Sequence, residues 1–220
     1  MTGIDLSLHR NDEFDPGRPF VVRACWVIIE ALVLLNPVVT SYRIKRLVLR
    51  TFGARVGRNV VVKPNVHVKY PWRLELGDNA WLGERSWIDN FVTVRVGANS
   101  CISQGAYLCT GNHDWSDPAF RRIVSGITIG DGAWVGAFAR IAPGVSVGTE
   151  AVVAFGAVLV EDAEPRGVYA GNPAVRTRLR TISDMPSPRT AEHGGYRREP
   201  HPDLVAELRA GADRDSAAGD

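Results

Sequence analysis

The chain has 220 residues, 45% of them hydrophobic, and carries 26 Lys and Arg against 24 Asp and Glu, for a net charge of +2. That balance is too small to argue for nucleic-acid binding, and the length accommodates one domain of moderate size with appendages. Three cysteines, Cys25, Cys101 and Cys109, form an odd set without metal-like spacing, which favours a reducing cytoplasm over a disulfide framework.

Residues 1–19 are polar and acidic, unlike a secretory signal, and are expected to be a flexible N-terminus. Residues 20–55 read as a helical cap. Within them, residues 24–35 are apolar except for Glu30 and end at Asn36-Pro37, too short to span a bilayer, which needs about 20 residues. Residues 38–52 read as a second helix with Ile44, Leu47 and Val48 on one face and Arg43, Arg46 and Arg50 on another. The pair is expected to cover an open coil behind it, as terminal repeats of solenoids require, and its basic amphipathic character also suits a peripheral membrane contact.

From Val56 to Glu164 the chain holds fourteen hexapeptides that begin with an aliphatic residue and place a small one at the fifth position. Starters fall at Val56 and Val62, at Leu76, Leu82 and Ile88, at Val96, Ile102 and Leu108, and at Ile129, Val135, Ile141, Val147, Val153 and Leu159. Glycine follows seven of them, Gly77 and Gly97 included, where a tight corner could use positive φ. Strands of about five residues cannot bury an apolar side alone, so the units must stack. The period predicts an all-β fold, a parallel β-helix over residues 56–174 with three short faces per coil and a C-terminal extension over 175–220.

Eighteen-residue stacking puts Leu76, Val96, Ile129 and Val147 on a first face, Leu82, Ile102, Val135 and Val153 on a second, and Ile88, Leu108, Ile141 and Leu159 on a third. The extra residues then gather at the corner after the third face: Val94 and Arg95, and a long excursion over 114–128. Irregular segments leaving one corner of a rigid scaffold build a wall beside it, a natural binding cleft. His113 lies at the base of the excursion, in Thr110-Gly111-Asn112-His113-Asp114-Trp115, and a histidine there can take a proton from a hydroxyl or amine as it attacks a carbonyl. Beyond the repeats, residues 183–220 are polar and Ala/Gly-rich, and are expected to be largely disordered with a loose helix at 204–210.

Several segments carry a resemblance: Phe52-Gly53-Ala54, Lys69-Tyr70-Pro71-Trp72, Ile102-Ser103-Gln104-Gly105-Ala106-Tyr107-Leu108, Asn112-His113-Asp114 with Asp117-Pro118-Ala119-Phe120, Gly132-Ala133-Trp134-Val135-Gly136, and Ala170-Gly171-Asn172-Pro173-Ala174. Together they resemble the sugar O-acetyltransferases of the colanic-acid-biosynthesis type and, more distantly, the galactoside, maltose and nodulation-factor acetyltransferases of the hexapeptide-repeat family. The resemblance implies a left-handed β-helix, a handedness that spacing alone does not give and that breaks the usual crossover rule. It implies acetyl transfer from acetyl-CoA to a sugar hydroxyl without a covalent enzyme intermediate, no metal, and a homotrimer with active sites between subunits. His113 would be the general base. Asp89, Asn90, Asp114 and Trp115 would contact the acceptor, although a structural role suits Asp89 and Asn90 equally, and Trp115 and Phe120 could either stack on a sugar or anchor the loop. Trp134, Gly136, Ala137, Ala154 and Gly156 would line the pantetheine groove. Val160-Glu161 stands where relatives often have Thr-Lys, and Val175-Arg176 where they have a lysine, so Arg176, Arg178 and Arg180 are the candidates for CoA phosphates.

Four other readings remain beside it. A Cys109 acyl-enzyme needs a contact with His113 that its place near a corner does not provide. A zinc carbonic anhydrase on the same solenoid needs several histidine ligands, whereas the repeats hold only His67 and His113, about 10 Å apart at two coils' separation. A non-catalytic scaffold would leave the Asn112-His113-Asp114 loop unexplained. An amine acceptor, an amino sugar or serine, suits a general-base histidine as well as a hydroxyl does.

Overall fold

The computed structural model describes residues 3–10 and 14–182. The region expected to be disordered at 183–220, with its helix at 204–210, lies outside the described residues.

Residues 55–179 wind into a three-sided β-solenoid. The first sheet stacks Arg55–Val56, Leu74–Leu76, Val94–Val96, Ile127–Ile129 and Ser146–Val147; the third stacks His67–Val68, Trp87–Asp89, Tyr107–Cys109, Arg140–Ile141 and Val158–Leu159, all parallel. The second runs from Val61–Val62 through Trp81–Leu82, Cys101–Ile102, Trp134–Val135 and Val152–Val153 to Gly167–Gly171, with Ala174–Leu179 antiparallel at its edge. The starters sit in register, Val56 on Leu76, Val96, Ile129 and Val147, for example. The starters from Val62 onward are at most 3% exposed, so the six-residue period is the period of the core. Burial of one such side chain is worth about 1.5–3 kcal/mol.

Two features of the repeat differ from the sequence reading. The glycines after the starters do not adopt positive φ; they are there because the next coil passes over them. A Cβ on Gly77 would stand 2.5 Å from the Ala98 nitrogen, and one on Gly97 2.6 Å from the Asp131 nitrogen. The left-handed backbone falls two residues later, at Asn59, Asn79 and Asn99 among others. Asparagine tolerates it, and these three amides bond up the stack at 3.2 and 3.0 Å. The second difference is an unrecognised unit: Val68, fully buried, stands in register with Ile88. Its fifth residue is Trp72 where others are small, and the chain leaves the coil through a short turn at Pro71–Arg73. The corner after the third sheet therefore takes extra residues three times, not twice, and Val94 and Arg95 are not among them: both pair in the first sheet, where Val94 is fully buried.

The open first coil is closed by the helical cap. Helix α1 (Phe20–Ile29) continues into a π-helical turn, Glu30–Leu34, and α2 follows at Tyr42–Thr51. An uncovered first coil would leave a row of unpaired backbone groups. Arg50 donates to the Val56 and Gly57 carbonyls, Arg46 to Val60 at 2.7 Å and Lys45 to Lys63 at 3.0 Å. The Glu30 carboxylate accepts from the Val68 N–H at 2.6 Å, the Trp26 indole donates to the Val68 carbonyl at 2.8 Å, and the Leu34 carbonyl accepts from the Asn65 N–H. The packed face of α2 is thus Lys45 and Leu49, while Ile44 and Leu47 are exposed. Pairing with carbonyls is why cations were turned inward here; burial pushes the Lys45 ammonium below its ordinary range.

Two boundaries also shift. Ile4–His9 is not free chain: it forms a short 3-10 turn at Leu6–Leu8, and the Asp5 N–H donates to the Pro118 carbonyl at 2.8 Å. At the other end the boundary expected at 174 falls inside the terminal hairpin, since Ala174–Leu179 pairs with Gly167–Gly171.

Candidate active site

The longest expulsion from the third corner is an antiparallel hairpin, Gly111–His113 against Arg122–Val124. Its end is held by its own polar groups. Asp114 accepts from the N–H and hydroxyl of Ser116, Asp117 accepts from the Ala119 N–H and from Arg121, and the Arg121 carbonyl accepts from the Asp114 N–H. These bonds hold both carboxyls below the usual carboxylate range, Asp114 chiefly through the Ser116 hydroxyl and Asp117 chiefly through Arg121.

His113 stands at the base of this rigid end. Its Nδ1 lies 2.8 Å from the Phe120 carbonyl oxygen. A carbonyl only accepts, so Nδ1 carries the hydrogen and the neutral ring keeps its lone pair on Nε2. The Phe120 ring stacks on the imidazole at 4.4 Å and 6°, which settles Phe120 as a loop anchor. The same carbonyl accepts from Nδ1 of His9 at 3.0 Å, and the two imidazole rings lie 5.3 Å apart. His9 was missed in the sequence because it is remote from the hairpin along the chain and lies in a segment without pattern.

The hairpin is rooted beside a polar cluster. Asp89, 7% exposed, accepts from Lys69 at 2.9 Å on one oxygen and from the Tyr107 hydroxyl at 2.9 Å on the other. Tyr107 also reaches the Cys109 sulfur, and Cys109 donates to the Gly111 carbonyl, not to His113. Burial first, then the bonds to Cys109 and Asp89, push the Tyr107 phenol above its ordinary range. Asn90 is fully buried, its amide accepting from the Tyr70 N–H and donating to the Tyr70 carbonyl. These two bonds fasten Asn90 to the neighbouring coil. One oxygen of Asp114 is likewise committed to Ser116, whereas Trp115 is 81% exposed.

The residues expected along the pantetheine groove lie elsewhere. Trp134 is on the outer face of the second sheet, half-exposed, with its indole donating to the Ser103 hydroxyl at 2.8 Å. Ser103 in turn lines a cleft of about 440 Å³ with Lys63, Trp81, Glu84 and Gln104. A Cβ on Gly136 would meet the Val153 carbonyl oxygen at 2.7 Å, so its smallness serves coil stacking. Ala137 is nearly buried and Ala154 half-buried, while Gly156 is exposed at φ +68 with open space beside it. Of the arginines, Arg176 pairs with Glu164 at 2.6 Å and Arg180 donates to the Gly132 and Glu150 carbonyls; Arg178 has neither kind of partner among the described residues.

A family model for "Bacterial transferase hexapeptide (six repeats)" matches residues 126–160. The "Putative colanic acid biosynthesis acetyltransferase WcaF" of Escherichia coli (strain K12) is 37% identical over 171 residues, covering 78% of this chain and 93% of its own. The chain belongs to the hexapeptide-repeat acetyltransferases. A galactoside acetyltransferase solved in complex with coenzyme A is 26% identical, with a TM-score of 0.65 over 72% of this chain and 80% of the other. The acetyltransferase VCA0836 from Vibrio cholerae O1 biovar eltor, solved with acetyl coenzyme A, is 20% identical, with a TM-score of 0.67 over 76% of this chain and 96% of the other, and shares the left-handed β-helix fold.

As a hexapeptide-repeat acetyltransferase, the chain is an acyltransferase whose expected site residues occupy two faces. His113, Asp114 and Trp115 stand on the hairpin between the third and first sheets, with Asp89 at its root. Trp134 and Ser103 stand on the second sheet. Lys69, Tyr107 and Ser103 belong to these surroundings and were missed as site residues; the signal was their place in outward positions twenty residues or one coil from Asp89 or Trp134. His67, the other repeat histidine, bonds to Glu30 at 2.9 Å and faces Trp87. Among the described residues no group of three His, Cys, Asp or Glu side chains is placed to hold a metal ion.

Proposed function

We propose that this enzyme transfers the acetyl group of acetyl-CoA to a hydroxyl of a saccharide or glycosylated small molecule, with His113 as general base. Acetyl-CoA as co-substrate is supported by the coenzyme A bound to the related galactoside acetyltransferase, and a sugar acceptor by the likeness to that enzyme and to the colanic acid relative. The observation that carries the role of His113 is the hydrogen bond from Nδ1 to the Phe120 carbonyl, because it fixes the tautomer in which Nε2 can take a proton.

In this reaction Nε2 removes the acceptor's hydroxyl proton while the oxygen attacks the thioester carbonyl. The tetrahedral intermediate collapses with cleavage of the C–S bond, and the proton passes from Nε2 to the departing CoA thiolate, which returns His113 to its neutral form. Asp89 and Tyr107 hold the root of the hairpin, and Trp115 offers an exposed ring to a sugar face. Arg178 is the arginine available to a CoA phosphate.

Active sites shared between the subunits of a homotrimer account for the separation of the two site halves: the His113 hairpin of one subunit completes the Trp134 face of the next. Calorimetric titration with acetyl-CoA tests the reading without a guess at the acceptor. Saturable binding is expected; a folded protein that binds none would return it to a scaffold.

A further inference from the structure

The side of the helical cap turned away from the solenoid is apolar. Trp26, Glu30, Leu34, Lys45 and Leu49 point inward and are buried. On the other side Val27, Ile28, Leu32, Val38, Ile44 and Leu47 are between 49% and 83% exposed. A surface helix needs one apolar stripe for its core; these helices carry a second one, exposed among the described residues. Charge is distributed with the same bias. Residues 20–52 hold five basic residues, Arg23, Arg43, Lys45, Arg46 and Arg50, and one acidic, Glu30, which is buried and hydrogen-bonded. Arg43 is exposed beside Ile44 and has no acidic partner among the described residues.

We propose that this outer face of the cap is a docking surface for an anionic lipid bilayer. An apolar face that carries Arg43, on a cap of net positive charge, complements an interface of acyl chains beneath negative headgroups. A second copy of the chain is the poorer occupant, since pairing the face with itself brings two basic caps together. The contact lies on the surface of the bilayer, because no described helix is long and apolar enough to cross one. Docking presents the transferase to acceptors held at a membrane, but the surface does not depend on the chemistry proposed for His113.

Co-sedimentation of the full chain with phosphatidylglycerol-containing vesicles, against vesicles of phosphatidylcholine alone, tests this. Binding to the anionic vesicles, weakened by salt, is expected. Leu32→Glu or Leu47→Glu, outward positions that leave the cap's hydrogen bonds intact, should weaken it at least tenfold, and Arg43→Ala about fivefold, the equivalent of about 1 kcal/mol. Circular dichroism confirms that each variant is folded, and acetyl transfer measured without vesicles separates this proposal from the catalytic one. Folded wild-type protein left in the supernatant, or binding unchanged by both Glu variants, overturns it. So does a loss of oligomer mass in Leu32→Glu, which would assign the face to another subunit.

Discussion

Whether the imidazole of His113 offers a lone pair or a proton to an acceptor depends on what Nδ1 touches. With the Phe120 carbonyl at 2.8 Å, the answer is a lone pair on Nε2. His113→Ala should therefore lower kcat by about 10²-fold or more while leaving the acetyl-CoA Kd nearly unchanged, as kinetics and calorimetry together would show. Normal turnover in that variant would remove the mechanism. Glycine gives a residue-scale test of the fold: Gly97→Ala places a methyl 2.4 Å from the Asp131 carboxylate and 2.6 Å from its backbone nitrogen. We expect a loss of about 1–3 kcal/mol, read as a lower Tm, because backbone on the next coil cannot move aside. At this scale the sequence singled out His113 from its loop and its resemblance, and Asn90 from its place near the corner and the resemblance. The Asn90 amide bonds to Tyr70, a partner twenty residues away that no local pattern advertises.

The hairpin and the cap are elements held by polar groups. Asp114 and Asp117 have carboxyls held low by partners that bond to the charged form. A depressed carboxylate contributes order that is fully present above the unfolded value near 3.8 and is lost as pH falls through the folded value below it. The exposed Trp115 indole should report this loosening as a fluorescence change below about pH 4, before the solenoid unfolds. In Asp117→Asn the change should be smaller and begin at lower pH, since only Asp114 still titrates and the neighbouring charge that raises its pKa is gone. For the cap, Glu30→Ala leaves the buried Val68 N–H without an acceptor and should cost about 1–3 kcal/mol in denaturant unfolding, a result that an unchanged midpoint would contradict. The sequence located both cap helices within a few residues. It did not show which face of α2 turns inward, because that depends on the carbonyls of the solenoid's first coil, which Lys45 and Arg46 satisfy.

For the molecule as a whole, the decisive feature is that the two halves of the candidate site stand on different faces of one chain. Sedimentation equilibrium should give three times the 24.0 kDa of the chain, and a monomer active at low concentration would contradict shared sites. The six-residue period by itself determined the solenoid, its three faces, the register of its core and the corner where the chain departs from it. It did so because each unit repeats the same local constraint, an aliphatic side chain inward and a small residue at the turn, so the signal adds along the chain. Only the tertiary structure decided which glycines are needed for coil contact, how the open coil is capped, which tautomer His113 holds and which polar side chains are already spent. Those outcomes rest on single hydrogen bonds and close approaches between segments that follow no common period, and a one-dimensional pattern carries no record of them.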